Sequence, residues 1–156
     1  MINKKIAVAS SIIVPCQKEA ALAAAWEIKN IEYCEVKAYS VEVHPENDKT
    51  GTYNVFGRFA GVPWRNTFRY VLHDRGFHSL EASPPPEGSR IHGGFFVEPF
   101  GENDSLVIHY EQYVLPARYL LLKPLILLYL KWSMGKELRT FRQLVMNGKQ
   151  TALVNS

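Results

Sequence analysis

The chain has few cysteines, and it lacks the short glycine and serine motifs that mark nucleotide-binding enzymes and serine hydrolases. Only Cys16 and Cys34 occur among its 156 residues. Two cysteines do not make a disulfide framework, so we predict that both are free, buried thiols in a reducing compartment. No Gly-x-Gly-x-x-Gly motif, phosphate loop or Gly-x-Ser-x-Gly elbow is present. The sequence therefore gives no indication of phosphate binding or of a serine nucleophile.

Metal-binding patterns are also missing. The five histidines are His44, His73, His78, His92 and His109. No two of them stand four residues apart on a predicted helix, and no His-x-Cys spacing occurs. We therefore predict no metal site and no cofactor.

No apolar run is long enough to cross a membrane. The longest stretch, 119–130, is interrupted by Lys123 and Pro124, and it falls short of the roughly 20 apolar residues that a spanning helix needs. Near the start of the chain, Pro15 beside Cys16 and two serines in the apolar stretch argue against an export signal. We expect a cytoplasmic protein.

Acidic residues are nearly absent from the C-terminal part of the chain. Residues 117–156 contain seven basic side chains and one acid, Glu137, while the whole chain carries a net charge of +3. The C-terminal segment therefore holds +6 and the rest of the chain −3. A net charge of +3 is too small to indicate nucleic-acid binding, and we predict no nucleic-acid partner.

The periodicity of apolar residues predicts an α+β domain. A β-branched stretch at 6–14 is typical of a strand, and the alanine-rich stretch 17–29 with a further turn at 31–34 predicts two short helices. Alternating or apolar segments then predict strands at 39–44, 53–59, 64–73, 77–82, 90–100 and 105–115. The proline-rich segment 83–88 predicts a loop. A last amphipathic helix is predicted over 124–148, ending at Asn147-Gly148.

This order of elements, with several sequence features, resembles the START-like (SRPBCC) superfamily. The features are Ile12-Ile13-Val14-Pro15 leading into a helix with Trp26, the stretch from Gly88 to Pro99 followed by Val107-Ile108-His109-Tyr110, and the closing helix 124–148. The superfamily includes polyketide cyclase/dehydrase-type proteins, coenzyme Q-binding proteins and lipid transfer domains. The resemblance covers essentially the whole chain.

The resemblance implies a helix-grip fold. In that fold a curved, seven-stranded antiparallel sheet wraps around the long C-terminal helix, two short helices follow strand 1, and an apolar cavity lies between sheet and helix. We expect a single START-like domain over residues 1–156, with a core at about 5–148 and a tail at 149–156. The superfamily is defined by architecture, so the resemblance supplies no catalytic signature.

The apolar faces of the predicted strands define the residues that we expect to face the cavity. We place Tyr39, Val41 and Val43 of one strand, and Leu106 and Ile108 of another, on the inner face. The candidate ligand-binding residues are Trp64, Asn66, Phe68, Tyr70, Phe95, Tyr110, Gln112, Leu127, Met134, Leu138 and Phe141. An apolar cavity with a few neutral hydrogen-bonding groups suits a hydrophobic small molecule that carries a carbonyl or hydroxyl group. The alternative is a filled core with no cavity.

The first functional hypothesis is therefore non-catalytic. We expect the chain to bind or transport a lipid, an isoprenoid quinone or a polyketide-like molecule; the sequence does not identify which. The alternative is a cyclase or dehydratase acting on a polyketide-like substrate. This would require an inverted face on the last strand pair, since His92, His109 and Glu111 are otherwise predicted on a solvated outer face. If they face the cavity, they are candidates for general acid and base catalysis.

The segment between Arg118 and Trp132 is more apolar than one buried stripe requires. Apolar residues surround most of the predicted helix there, and Arg118, Lys123 and Lys131 flank them. This pattern is typical of a helix that lies at a membrane surface, and we expect transient contact with anionic membranes. Two alternatives remain: the leucines cover the mouth of the cavity, or they form a homodimer contact.

Overall fold

The computed structural model describes residues 4–84 and 91–154, the last six of these by their backbone alone. The strands are β1 (Lys5–Val14), β2 (Ala38–Pro45), β3 (Thr50–Phe59), β4 (Val62–His73), β5 (Gly76–Glu81), β6 (Ile91–Phe100) and β7 (Asp104–Val114). The helices are α1 (Lys18–Trp26), α2 (Ile31–Cys34) and α3 (Lys123–Val154), and short 3-10 turns span Ile28–Asn30 and Ala117–Leu122.

All seven strands form one antiparallel sheet. The strand order is β1-β7-β6-β5-β4-β3-β2, so each strand from β2 to β7 pairs with the next one in sequence, and β1 closes the far edge on β7. Helix α3 packs mainly on β1 and also contacts α1, α2 and β7. The predicted α+β helix-grip architecture, with seven antiparallel strands, two short helices after the first strand and a long last helix, is confirmed.

The inner face of the middle strands follows the predicted alternation. In β4, Phe68 and Tyr70 are buried while Arg65 and Arg69 are exposed. From Trp64 to Tyr70, more buried and exposed side chains alternate, and both arginines lie on the exposed face, so only one face of the strand can be buried at low cost. Trp64 and Phe68 on this face line a cavity.

The predicted face of β7 is wrong. The buried residues are Val107, His109 and Glu111, and the residues predicted to be inside, Leu106, Ile108 and Tyr110, alternate with them on the outer face. Tyr110 stacks on Phe96 there, with ring centroids 5.3 Å apart, and Gln112 follows on the same outer side. The polar residues are tolerated inside because charged partners from other elements satisfy them.

The predicted face of β2 is wrong at its beginning. The pairing of β2 with β3 shifts between Ala38 and Ser40, and this irregularity rotates Tyr39 outward, where it is 62% exposed. Ala38 is buried in its place. Val41 is buried as predicted, and Val43 packs partly against the core.

Helix α3 passes through the predicted stop at Asn147-Gly148 and continues to Val154. A glycine inside a helix costs only about 1 kcal/mol, which does not end a long helix on its own. The stripe of Leu130, Met134, Leu138 and Phe141 is buried as predicted. Most of the predicted loop 83–88 and the first residue of the predicted strand, Arg90, fall in 85–90, outside the described residues.

Cys16 and Cys34 are both buried, as predicted, and they are not joined in a disulfide. Burial, together with the nearby charges of Glu35 and Glu137, raises the pKa of the Cys34 thiol to about 12, which makes it unreactive at neutral pH. Within the described residues, no helix is long and apolar enough to span a membrane.

The close approach of β3 to Lys37 generates a prediction about stability. A Cβ atom added at Gly57 would lie 1.7 Å from the carbonyl oxygen of Lys37. We expect Gly57→Ala to lower the free energy of unfolding by about 1–3 kcal/mol, because backbone would have to move. Urea denaturation measures this.

Gly148→Ala is the matched control for Gly57→Ala. A Cβ atom at Gly148 meets nothing within 4 Å, and the residue lies inside a helix, where alanine is favoured over glycine by about 1 kcal/mol. We expect unchanged or higher stability for this variant. Equal losses in the two variants would contradict the role of Gly57.

Candidate functional site

A cavity of about 660 Å³ lies between the inner face of the sheet and the segment that leads into α3. This is the size of a typical small-molecule site. Its wall is mainly aromatic and aliphatic. The larger apolar side chains on it are Tyr53, Val55, Phe59, Trp64, Phe68, Phe77, Phe95 and Ile126. Such a wall favours an apolar ligand.

Five charged residues meet at one part of this cavity, and we call them the ionic cluster: Glu35, Lys37, His109, Glu111 and Glu137. Glu35 and Lys37 come from the connection between α2 and β2. His109 and Glu111 are two residues apart on β7, so their side chains share its inner face, and Glu137 comes from α3. Glu35, Lys37, His109 and Glu111 line the cavity, while Glu137 is fully buried behind them.

The Lys37 ammonium group stands among three carboxylates. Its Nζ donates to Glu137 Oε1 at 2.7 Å, and it lies 3.1 Å from Glu111 Oε1 and 3.4 Å from Glu35 Oε2. Burial alone would lower the pKa of Lys37, but the three carboxylates outweigh it and hold that pKa well above the usual value. Lys37 is therefore charged at neutral pH.

His109 is held at both ring nitrogens. Nδ1 lies 3.0 Å from the carbonyl oxygen of Gly94, which only accepts, so Nδ1 carries a proton. Nε2 lies 3.1 Å from Glu137 Oε2. Burial opposes charge on the imidazole, yet the nearby carboxylates of Glu111 and Glu137 raise the pKa of His109 well above its usual value. The ring of Phe95 stacks on that of His109, with centroids 4.1 Å apart.

Glu111 is the carboxylate best stabilised in its ionised form. Burial would raise its pKa, but the positive charges of Lys37 and His109 lower that pKa to about 2. The phenol of Tyr113 donates to Glu111 Oε2 at 2.9 Å. Among the described residues, every buried side-chain nitrogen and oxygen has a hydrogen-bond partner, so the network is complete.

Glu35 is the member of the ionic cluster that titrates near neutrality. Burial and the like charge of Glu137 raise the pKa of Glu35 to about 7, although Lys37 draws it down. With both cations charged and all three carboxylates ionised, the cluster would hold one excess negative charge. A proton on Glu35 removes that excess. Glu35 is 15% exposed, and it lines the cavity, so a bound molecule can reach it.

Carboxylates and an imidazole are also the side chains that commonly bind metal ions. Ligand atoms of Glu35, His109, Glu111 and Glu137 lie within 4.8 Å of one another. However, the Lys37 ammonium already binds the three carboxylates, and a divalent cation would compete for the same oxygens. The donor set therefore suits an internal ion pair better than a metal ion.

The structure brings only part of the predicted site together. Trp64, Phe68 and Phe95 lie on the cavity wall, and so do His109 and Glu111. His92 borders the cavity, but its ring faces that of Tyr110 on the outer side, with centroids 6.2 Å apart.

The other predicted ligand-binding residues lie away from the wall. Tyr70, Met134, Leu138 and Phe141 are buried in the core, and Leu127 packs partly against it. Asn66 donates to Glu81, a carboxylate that lines the cavity. The prediction that Tyr110 and Gln112 face the cavity is wrong, because both lie on the outer face of β7.

Sequence reasoning missed Glu35, Lys37 and Glu137. A signal for Glu137 exists: it falls between Met134 and Phe141 at steps of three and four, so it lies on the buried stripe of α3. An acid on such a stripe requires a buried cation. For Glu35 and Lys37 we find no comparable pattern, because they lie in a short connection without periodicity.

No protein-family model matches this chain, and no curated protein matches its sequence. Solved structures match its fold. A START superfamily protein from Mycobacterium smegmatis is 9% identical with a TM-score of 0.68, and the match covers 90% of this chain and 97% of that one. The Zhui aromatase/cyclase from Streptomyces sp. R1128 is 12% identical with a TM-score of 0.67, covering 91% and 94%.

The human StAR-related lipid transfer protein 5 is also similar, with 11% identity and a TM-score of 0.60, covering 88% of this chain and 76% of that one. Identities this low establish the fold alone. The chain therefore has the START-like (SRPBCC) fold, as the sequence resemblance implied.

The titration of Glu35 leads to a prediction about pH. A carboxyl group whose pKa is higher in the folded state than in the unfolded state favours folding while it is protonated. This contribution to stability is lost as pH rises from about 4.5 toward about 7. We expect Glu35→Gln to abolish this part of the decline. At pH 8 the variant should be more stable than the wild type by about 1 kcal/mol or more, since one pKa unit corresponds to about 1.4 kcal/mol.

Denaturant unfolding of both proteins across this pH range measures the difference. Glu42→Gln is the control. Glu42 is exposed on β2, so this substitution removes a carboxylate outside the ionic cluster. The decline of stability above pH 6.5 that His109 contributes should persist in Glu35→Gln. Parallel pH curves for wild type and Glu35→Gln would contradict the assignment.

Proposed function

We propose that this chain is an enzyme that binds a hydrophobic carbonyl compound in its cavity and moves a proton on it, as a cyclase or dehydratase of polyketide-like substrates does. The observation that carries the proposal is a carboxyl group, Glu35, that reaches the cavity and has a pKa near 7. A general acid or base works best when its pKa lies near the operating pH. A titratable group in a cavity whose pKa is strongly shifted by burial and by specific charged partners is a candidate functional residue.

The composition of the cavity limits the class of ligand. Aromatic walls formed by Trp64, Phe68 and Phe95 favour a flat or elongated apolar molecule. The carboxylates of Glu35, Glu111 and Glu137 disfavour an anionic group next to the ionic cluster. A neutral molecule with a ketone or hydroxyl group therefore fits better than a free fatty acid.

The proposed reaction starts with ionised Glu35. Its carboxylate takes a proton from the carbon next to a ketone, and the electron pair of that C–H bond forms an enolate. When Glu35 takes the proton, the ionic cluster loses its excess negative charge. Lys37 and His109, both cationic and within 3.5 Å of Glu35, then stabilise the negative charge of the enolate.

In a dehydration, the enolate then expels a hydroxyl group from the neighbouring carbon. The proton on Glu35 passes to this leaving group, water departs, and a carbon–carbon double bond remains. Glu35 ends in its starting state, so the step needs no oxidant, reductant or cofactor.

Non-catalytic carriage of a hydrophobic molecule is the second candidate. The apolar wall of the cavity and its volume of about 660 Å³ support carriage as well as they support catalysis, because both functions need a ligand to bind there. The structural neighbours do not separate the two candidates, since one is named an aromatase/cyclase and another a lipid transfer protein. Both candidates share ligand binding, so they are tested in two steps.

The first test is for a bound ligand. We expect native mass spectrometry of protein purified from its own host to show an adduct whose mass matches a neutral apolar molecule. Extraction into organic solvent should release it, because the wall of the cavity offers few polar contacts. Failure to detect any adduct, together with no binding of aryl ketones by the purified protein, would count against both candidates.

The second test is for proton transfer. We expect the protein to catalyse exchange of the acidic protons of an aryl 1,3-diketone with D₂O, measured by NMR. The rate should rise with pH around an apparent pKa near 7, as Glu35 ionises. In Glu35→Gln the catalysed rate should fall by about 10²–10⁴-fold, which is the usual contribution of a positioned base.

The exposed Glu42→Gln variant should retain the wild-type rate and pH profile. If the diketone binds to wild type but exchanges no faster than it does in buffer, the enzyme proposal is wrong and the carrier candidate remains. If Glu35→Gln exchanges as fast as wild type, then Glu35 is not the base.

A further inference from the structure

The 3-10 turn Ala117–Leu122 and the first turns of α3 form one segment, residues 117–132, that carries an exposed apolar stripe. Leu121 in the turn and Leu125, Leu128 and Trp132 in α3 follow one another at steps of four, three and four, so they lie on one side of this segment. Their side chains are 94%, 65%, 67% and 53% exposed. The buried stripe that includes Leu130 lies on the opposite side. This outer stripe therefore contributes nothing to the core.

The apolar surface adjoins the mouth of the cavity. Tyr119, Leu122 and Ile126 belong to the same segment and line the cavity. Val62, at the start of β4, is exposed and also lines it. We call these residues and the outer stripe together the mouth surface. A ligand that enters here passes directly between exposed apolar groups.

Positive charges surround the mouth surface. Arg118 and Lys131 are exposed within the segment, and Lys136 and Arg139 extend the line of the stripe along α3. No acidic residue occurs between Glu111 and Glu137. The guanidinium of Arg118 lies 4.9 Å from the ring centroid of Tyr119, and the Lys136 ammonium lies 5.6 Å from that of Trp132. Aromatic and basic side chains beside exposed leucines are typical of proteins at the bilayer interface.

We propose that the mouth surface docks on an anionic lipid bilayer, so that the cavity opens toward the acyl chains and an apolar ligand moves between membrane and protein without crossing water. A second copy of the chain fits this surface less well. An isologous contact would bring the Arg118 and Lys131 side chains of both copies together, and like charges across an interface are unfavourable. The inference stands on the mouth surface and does not depend on the chemistry of the ionic cluster.

Co-sedimentation with vesicles tests the proposal. We expect the full chain to bind vesicles of phosphatidylcholine mixed with phosphatidylglycerol at low salt, and to bind pure phosphatidylcholine vesicles more weakly. The double variant Leu121→Asp/Leu125→Asp should reduce the partition coefficient at least about tenfold, since two leucines no longer insert. Leu80→Asp is the matched control, because Leu80 is an exposed leucine on the outer face of β5 and should leave partitioning unchanged.

A second variant tests the electrostatic part. Arg118→Ser/Lys131→Ser should weaken binding to anionic vesicles several-fold, while the remaining binding becomes less sensitive to salt. Both positions are exposed, so the variants should fold, which circular dichroism checks. If wild type ignores anionic vesicles at low salt, or if Leu80→Asp weakens binding as much as the leucine pair does, the proposal is wrong. A stable dimer in sedimentation velocity that the leucine variant abolishes would assign the surface to a second copy.

Discussion

The pairing of one buried ammonium group with three carboxylates determines how the site of this protein is assembled. Lys37 contacts Glu35, Glu111 and Glu137, which come from three different parts of the fold. Removing Lys37 would leave buried carboxylates without their shared cation, and the loss of one side of a buried ion pair in this way generally costs about 3–5 kcal/mol. The helix, the sheet and the α2–β2 connection are therefore held to one another by charge as well as by apolar packing.

The backbone at Lys37 is fixed as firmly as its side chain. Its carbonyl oxygen accepts from the backbone N–H of Arg58 at 3.0 Å and from the indole N–H of Trp64 at 3.1 Å. The absence of a side chain at Gly57 makes this approach possible. Trp64 thus forms part of the apolar wall and at the same time positions the ammonium group at the centre of the ionic cluster. A change in the wall at Trp64 will be transmitted to the charges.

Local periodicity was sufficient for the order of helices and strands and for the buried face of strands such as β4, where aromatic residues alternate with Arg65 and Arg69. The helix-grip architecture followed from the resemblance to a known superfamily. It failed on β7, because Leu106, Ile108 and Tyr110 are more apolar than Val107, His109 and Glu111, and hydrophobicity alone therefore selects the wrong face. The correct face depends on Lys37 and Glu137, which are distant in sequence. Burial of His109 and Glu111 becomes favourable only when these partners are present, and no local pattern contains that information.

The charge balance of the ionic cluster couples occupancy of the cavity to the proton content of the protein. A ligand that excludes water from Glu35 will favour its neutral form, and the complex will then take up protons from solution near neutral pH. The measured heat of binding will consequently include the ionisation heat of the buffer. Calorimetric titrations in phosphate and in Tris would differ by an amount that counts the protons taken up, which gives access to the state of Glu35 without any turnover.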